Sequence, residues 1–203
     1  VFENMKHFRW QGEVLFYGKM INATNLPWYY LFTWIGITTP ELYLLFFSLG
    51  TYFLVYYLIK NINTIIKNTK ERNLYIAFSI VLIPVLSVII QKSVLYDGWR
   101  HMFFIYPFII IIAIFGINQL YNFFKLAKKK YMINILFILL GLNFIYIGGQ
   151  MIYYHPFQNC YFNNMISHDK NRIRHKFEMD YWGVSSKQGL EYLVNKNTNN
   201  NDT

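Results

Sequence analysis

The sequence predicts an all-α protein: a polytopic membrane helix bundle with four transmembrane helices, an interfacial helix and a short extracytoplasmic C-terminal tail. Three observations predict it. Of 203 residues, 55% are hydrophobic and only 14% are charged, whereas a soluble domain carries about a quarter charged residues. Phe, Trp and Tyr make up 21% of the chain, which suits a bilayer with aromatic belts better than a water-facing exterior. The apolar residues also fall into four long runs separated by short polar connectors. A net charge of +9 would suggest nucleic acid in a soluble protein. Here the basic residues gather in connectors, where they act as topology signals, and no nucleic-acid partner is expected.

Taken in order, residues 1–27 are a mixture of charges, aromatics and glycines. Pro27 then precedes Trp28 to Ile37, a run too short to span and rich in Trp and Tyr. It reads as an interfacial or re-entrant helix. Thr39 can cap the following helix, Pro40 suits its first turn, and Glu41 favours the positive end of its dipole. Spans are expected at about 40–59, 74–90, 102–120 and 132–152. At 1.5 Å rise per residue, such runs approach the ~30 Å hydrocarbon core. Pro84 lies inside the second span and is expected to kink it. The organisation is therefore 1–39 as an extracytoplasmic loop with the interfacial helix, 40–152 as the four-helix transmembrane region, and 153–194 as an extracytoplasmic C-terminal segment. Residues 195–203 are expected to be a disordered tail, having almost nothing apolar to bury.

Orientation follows from the connectors. Lys60, Lys67, Lys70 and Arg72 face only Glu71 in one, and Lys125, Lys128, Lys129 and Lys130 stand in the other. The positive-inside rule places both in the cytoplasm, and residues 1–39, 91–101 and 153–203 outside. The basic stretch at 170–176 argues against this assignment. The expected location is a bacterial inner (plasma) membrane. With Val1 at its start and no signal peptide, the chain reads as the C-terminal part of a longer polytopic protein. A single cysteine, Cys160, allows neither an internal disulfide nor a cysteine metal cluster.

Three polar and aromatic clusters share the extracytoplasmic side. The first runs from His7 through Trp10 and Glu13 to Lys19, and the second is Tyr96-Asp97-Gly98-Trp99-Arg100-His101. The third joins His155 to Asn163 with Asp180 to Gly183. Arg100 and His101 open a transmembrane helix, where free backbone N–H groups favour anions. An Arg there can grip a phosphate with two hydrogen bonds. Its bland alternative is snorkelling to ordinary headgroups, with Asp97 as a helix cap. His7, Glu13 and Asp97 are candidates for proton transfer, or equally members of a solvated loop. The tryptophans suit interfacial anchoring, and the same rings could stack on a sugar. The histidines lack metal-ligand spacing, and no Gly-rich phosphate loop, nucleophile elbow or dinucleotide fingerprint occurs. Neither a metal nor a cofactor is expected.

Taken together, the clusters resemble a known family. They run as Trp10-x-Gly12-Glu13-x-x-Phe16-x-Gly18, Leu26-Pro27-Trp28-Tyr29-Tyr30 with Thr38-Thr39-Pro40, Tyr96-Asp97-Gly98-x-Arg100-His101, His155-Pro156-Phe157 with Tyr161-Phe162-Asn163, and Asp180-Tyr181-Trp182-Gly183. This order is similar to the C-terminal half of bacterial GT-C membrane glycosyltransferases of the family-39 group. Their relatives include the dolichyl-phosphate-mannose protein mannosyltransferases and the lipid A aminoarabinose transferases. The resemblance spans nearly all of residues 7–192. It implies transfer of a sugar from a polyprenyl-phosphate carrier to an acceptor lipid, glycan or protein on the extracytoplasmic side, with inversion by a carboxylate base. That base usually lies in an earlier loop, so the catalytic residue is expected upstream of this chain. Arg100 and His101 would then bind the carrier phosphate. Asp97, Tyr96, His7, Trp10, Glu13, His155 and Asn163 would shape the substrate pocket, among membrane lipids. The rival readings are a non-catalytic truncated membrane protein and a transporter of lipid-linked sugar. The spans carry no charge at mid-membrane depth, which makes the transporter the weakest of the three.

Overall fold

The computed structural model describes residues 10–67, 69–167, 169–180 and 183–201. His7, Tyr181 and Trp182 lie outside them. Helices dominate, as the composition predicts. The short helix expected after Pro27 is α1 (Tyr30–Thr38). Two long helices follow, α2 (Glu41–Lys67) and α3 (Thr69–Ile90). A 3-10 segment (Arg100–Ile105) leads into α4 (Tyr106–Leu126), and α5 (Lys130–Tyr153) completes the long helices. The C-terminal region holds a short α6 (Lys170–Arg174) and an exposed α7 (Ser186–Asn201).

Four stretches are long and apolar enough to cross a membrane: Glu41–Lys60, Glu71–Ile90, Arg100–Leu126 and Lys130–Tyr153. Only 6–28% of their most apolar windows is buried within the protein. The remaining apolar surface faces outward, as it does on helices solvated by lipid tails. Helix α2 packs most extensively on α4. Two glycines make that contact close: a Cβ on Gly50 would sit 2.1 Å from the Ile112 carbonyl oxygen, and one on Gly116 2.3 Å from that of Phe46. Small residues are the usual device for close helix approach in lipid, where packing must replace the hydrophobic drive. Tyr57 donates to Gln119 Oε1 at 3.1 Å, adding a polar tie between the same helices.

The fold departs from the sequence expectations in three places. Residues 13–22 form an antiparallel hairpin of β1 (Glu13–Phe16) and β2 (Lys19–Asn22), with Glu13 opposite Asn22. The turn residues Tyr17 and Gly18 both have positive φ, 52° and 78°, which a two-residue hairpin of this hand requires. Four-residue strands show too little alternation to be read alone, and a lone hairpin is marginal without a packing partner. Second, the polar connector expected at 60–72 is largely helical, because Lys, Arg and Glu propagate a helix as well as apolar residues do. Third, α7 reaches Asn201 where a disordered tail from 195 was expected. A helix nucleated at Ser186 extends at one hydrogen bond per added residue.

The hairpin, α1, the 91–105 loop and the 157–180 segment meet at one end of the bundle and form a cap. The cap has its own aromatic core. Phe16, Tyr30, Trp34, Phe162 and Phe177 are all buried, and the Phe177 ring lies 5.8 Å from Phe16 and 5.6 Å from Trp34. Asn163 is fully buried and clamps the α1–α2 corner. Its Nδ2 donates to Gly36 O at 2.6 Å and Thr39 O at 2.7 Å, while its backbone N–H donates to Ile37 O. Glu41 accepts from the Asn164 N–H at 2.7 Å, fastening the C-terminal segment to the start of α2.

Candidate functional site

Two adjoining features stand out at the capped end. The first is a cluster around Tyr96. Trp10 packs on the Tyr96 ring at 4.6 Å, His101 meets it edge-on at 4.7 Å, and the Arg100 guanidinium lies 4.7 Å from its centroid. Arg100 also pairs with Asp97, Nη2 to Oδ2, at 2.9 Å. Arg100 opens the 3-10 segment, and the α-helix proper begins at Tyr106 with Pro107 in its first turn. The free amides of α4 are therefore displaced from Arg100, so attraction for an anion here rests chiefly on the guanidinium.

The second feature is a cavity of about 490 Å³ between α1, the 97–107 stretch and the C-terminal segment. That size lies within the roughly 300–1,000 Å³ range of small-molecule sites. Its walls include Trp34, Trp99, Phe103, Tyr106, Tyr161 and Phe162. The polar lining comes from Thr38, Asp97, Gln158, Asn159 and Glu178, so the cavity has two carboxylates and no Lys, Arg or His among the described residues. Trp99 Nε1 donates to Thr38 Oγ1 at 2.9 Å, which fixes one aromatic wall against α1.

The loop that joins both features is bent by its backbone. Asp97 and Gly98 occupy consecutive left-handed positions, φ 54° and 72°. Glycine meets this condition without strain and Asp is among the few side chains that tolerate it. A Cβ on Gly98 would also press on the Trp34 ring at 3.3 Å.

The electrostatics of the wall are set by burial. Burial pushes the Glu178 carboxyl above its ordinary range; the Leu15 N–H, which donates to Oε1, opposes this, and the charge of Asp97 adds to it. Glu178 Oε2 and the Tyr161 hydroxyl are buried without a hydrogen-bond partner among the described residues. Burial, then the nearby Glu41 charge, likewise raises Tyr161. Burial also works against the charge of Asp180, but hydrogen bonds from Ser185, Asn159 and Val184 outweigh it and hold that carboxyl below its usual range.

The residues singled out by sequence separate accordingly. Asp97 lines the cavity, and Tyr96, Trp10, Arg100 and His101 form the neighbouring cluster. Glu13 is exposed at the start of β1, and exposed His155 lies 3.0 Å from Gln158 Nε2 through its Nδ1. Neither lines the cavity. Asn163 spends its amide on backbone carbonyls and is a structural residue, not a pocket residue. Glu178 was missed as a site residue, and Asn159 was named only as a member of the His155–Asn163 cluster. The available signal was a lone acid directly after Phe177, just beyond the basic stretch at 170–176. Among the described residues, no three His, Cys, Asp or Glu side chains come together as metal ligands would. No protein family, curated protein or solved structure matches this chain.

Proposed function

We propose that this chain is part of an integral membrane glycosyltransferase. It moves a sugar from a polyprenyl-phosphate carrier to an acceptor lipid, glycan or protein on the extracytoplasmic side of a bacterial plasma membrane. The observation that carries this reading is the aromatic cavity with carboxylate and amide groups in its wall, set at the end of four apolar helices. A sugar ring offers C–H faces to aromatic rings, and its hydroxyls bond to carboxylates and amides. Arg100 stands beside the cavity through Asp97 and is the group suited to a lipid phosphate at this depth. The basic residues around Lys60–Arg72 and Lys125–Lys130 favour a cytoplasmic location for the opposite end. Glu178 and Asp97 act as sugar-binding groups in this reading, and the catalytic base is assigned to neither.

The test is sugar transfer by the full-length protein in lipid vesicles, from a polyprenyl-phosphate-linked donor held below saturation. Arg100→Ala is expected to lower transfer by about 10- to 100-fold, the factor for losing a charge-assisted bond of about 1.5–3 kcal/mol. Unchanged turnover at limiting donor would sink the assignment of the phosphate site.

A further inference from the structure

Asp97 belongs to both halves of the site. Its Oδ2 lies 2.9 Å from Arg100 Nη2, and the same residue lines the cavity. The two side chains are 23% and 26% exposed, so solvent and ligand reach the pair. A partly exposed ion pair of this kind is weakly held. A phosphate presents several charged oxygens in a geometry that matches the guanidinium fork, which a single carboxylate oxygen cannot equal. Phosphate at Arg100 therefore competes directly with Asp97. Once released, the carboxylate is an acceptor in a wall that contains no cation among the described residues, and a sugar hydroxyl is a donor of matching kind.

We propose that Asp97 is a partner-exchanging residue. A phosphate group takes Arg100 from it, and the freed carboxylate accepts a hydrogen bond from a hydroxyl of a neutral sugar in the cavity. This inference rests on the sugar-transfer reading above and adds a coupling that the reading does not require. Phosphate and sugar then bind cooperatively, and the coupling is reciprocal. Asp97 is a positioning and specificity residue here, since no bond to it forms or breaks covalently.

The experiment uses the full chain in lipid nanodiscs, read by tryptophan fluorescence, since Trp34 and Trp99 line the cavity. Methyl glycosides of glucose, mannose and galactose are titrated alone, with inorganic phosphate, and with dodecyl phosphate. The wild type is expected to bind at least one glycoside about 5- to 10-fold more tightly when phosphate is present. Asp97→Asn should lose that coupling while binding the phosphate probe more tightly than the wild type. Arg100→Gln should also lose it, through failure to bind phosphate. Coupling from both phosphate probes supports the exchange with the phosphate group alone as its trigger. Coupling from dodecyl phosphate only supports it with a lipid-borne phosphate. Equal coupling in Asp97→Asn and wild type would overturn the exchange, as would two probes that each bind the wild type independently. If neither class of probe binds the wild type, the sugar-transfer reading falls with it.

Discussion

The cap and the spans are built from the same kinds of apolar side chain but use them differently. In the cap, Val14, Phe16, Leu31, Ile173 and Phe177 are almost completely buried against one another. In the spans the same residue types mostly face outward. On α5 only Leu136 is buried, and Phe144 and Ile145 are more than 70% exposed. The cap therefore holds its shape as a water-soluble core does, by removing apolar area from water. The spans need no such burial, since lipid already solvates their side chains, and they associate through close packing at a few small residues. The candidate site lies where the two regimes meet, with lining residues from the cap and from the start of α4.

The sharpest way to break this comparison is a pair of aromatic deletions. Phe177→Ala in the cap core should cost about 3–5 kcal/mol, read as a lowered unfolding temperature in detergent. Phe144→Ala on the lipid-facing side of α5 should change stability by less than about 0.5 kcal/mol. Equal effects would mean that cap and spans are stabilised alike. Next in size is the clamp. Asn163→Ala leaves the Gly36 and Thr39 carbonyls without their donor, at about 1–2 kcal/mol each, or roughly 2–4 kcal/mol together. Hydrogen exchange should show the loss at the α1–α2 corner first, and uniform exchange throughout the cap would argue against a local clamp.

A third comparison sits within the spans. Gly116→Ala presses on the Phe46 carbonyl and should destabilise the α2–α4 contact by about 1–3 kcal/mol. Gly148→Ala on α5 meets nothing within 4 Å and should be neutral or stabilising by up to about 1 kcal/mol. Denaturing-detergent titration of both variants decides whether glycine acts here by packing or only by helix propensity.

The smallest expected effect is the pH dependence of the cap. The folded-state pKa of Glu178 lies above its ordinary value of 4.5. The folded protein therefore binds more protons than the unfolded chain between those two values, and stability falls as pH rises through them. The contribution is complete below pH 4.5 and is lost as the pH passes the raised value. Glu178→Gln should flatten that part of a stability–pH curve. An unaltered curve would assign the dependence to another group.

Much of the fold was legible because a bilayer imposes its demands locally. A run of about 20 apolar residues must satisfy its backbone within itself, so the four spans could be read without knowing any contact. The short helix α1 was legible too, from the run that follows Pro27. The hairpin was not, because Phe16 depends on Phe177 from the far end of the chain. In the site, the 96–101 cluster was legible because its chemistry is contiguous in sequence. Glu178 was not, since its role comes from the cavity it borders and from the Leu15 N–H that holds one of its oxygens.

The sequence by itself determined that the chain is helical, how many stretches can cross a membrane and about where each one lies. These follow from composition and segment length, which require no knowledge of neighbours. Only the tertiary structure decided which polar residues border the cavity and which hold the fold. The sequence placed Asn163 and Asp97 together as expected pocket residues and did not single out Glu178. Their roles differ because a hydrogen bond depends on what lies within about 3 Å: backbone carbonyls for Asn163, a guanidinium beside the cavity for Asp97, and for Glu178 one backbone N–H with the other oxygen buried and unpartnered among the described residues.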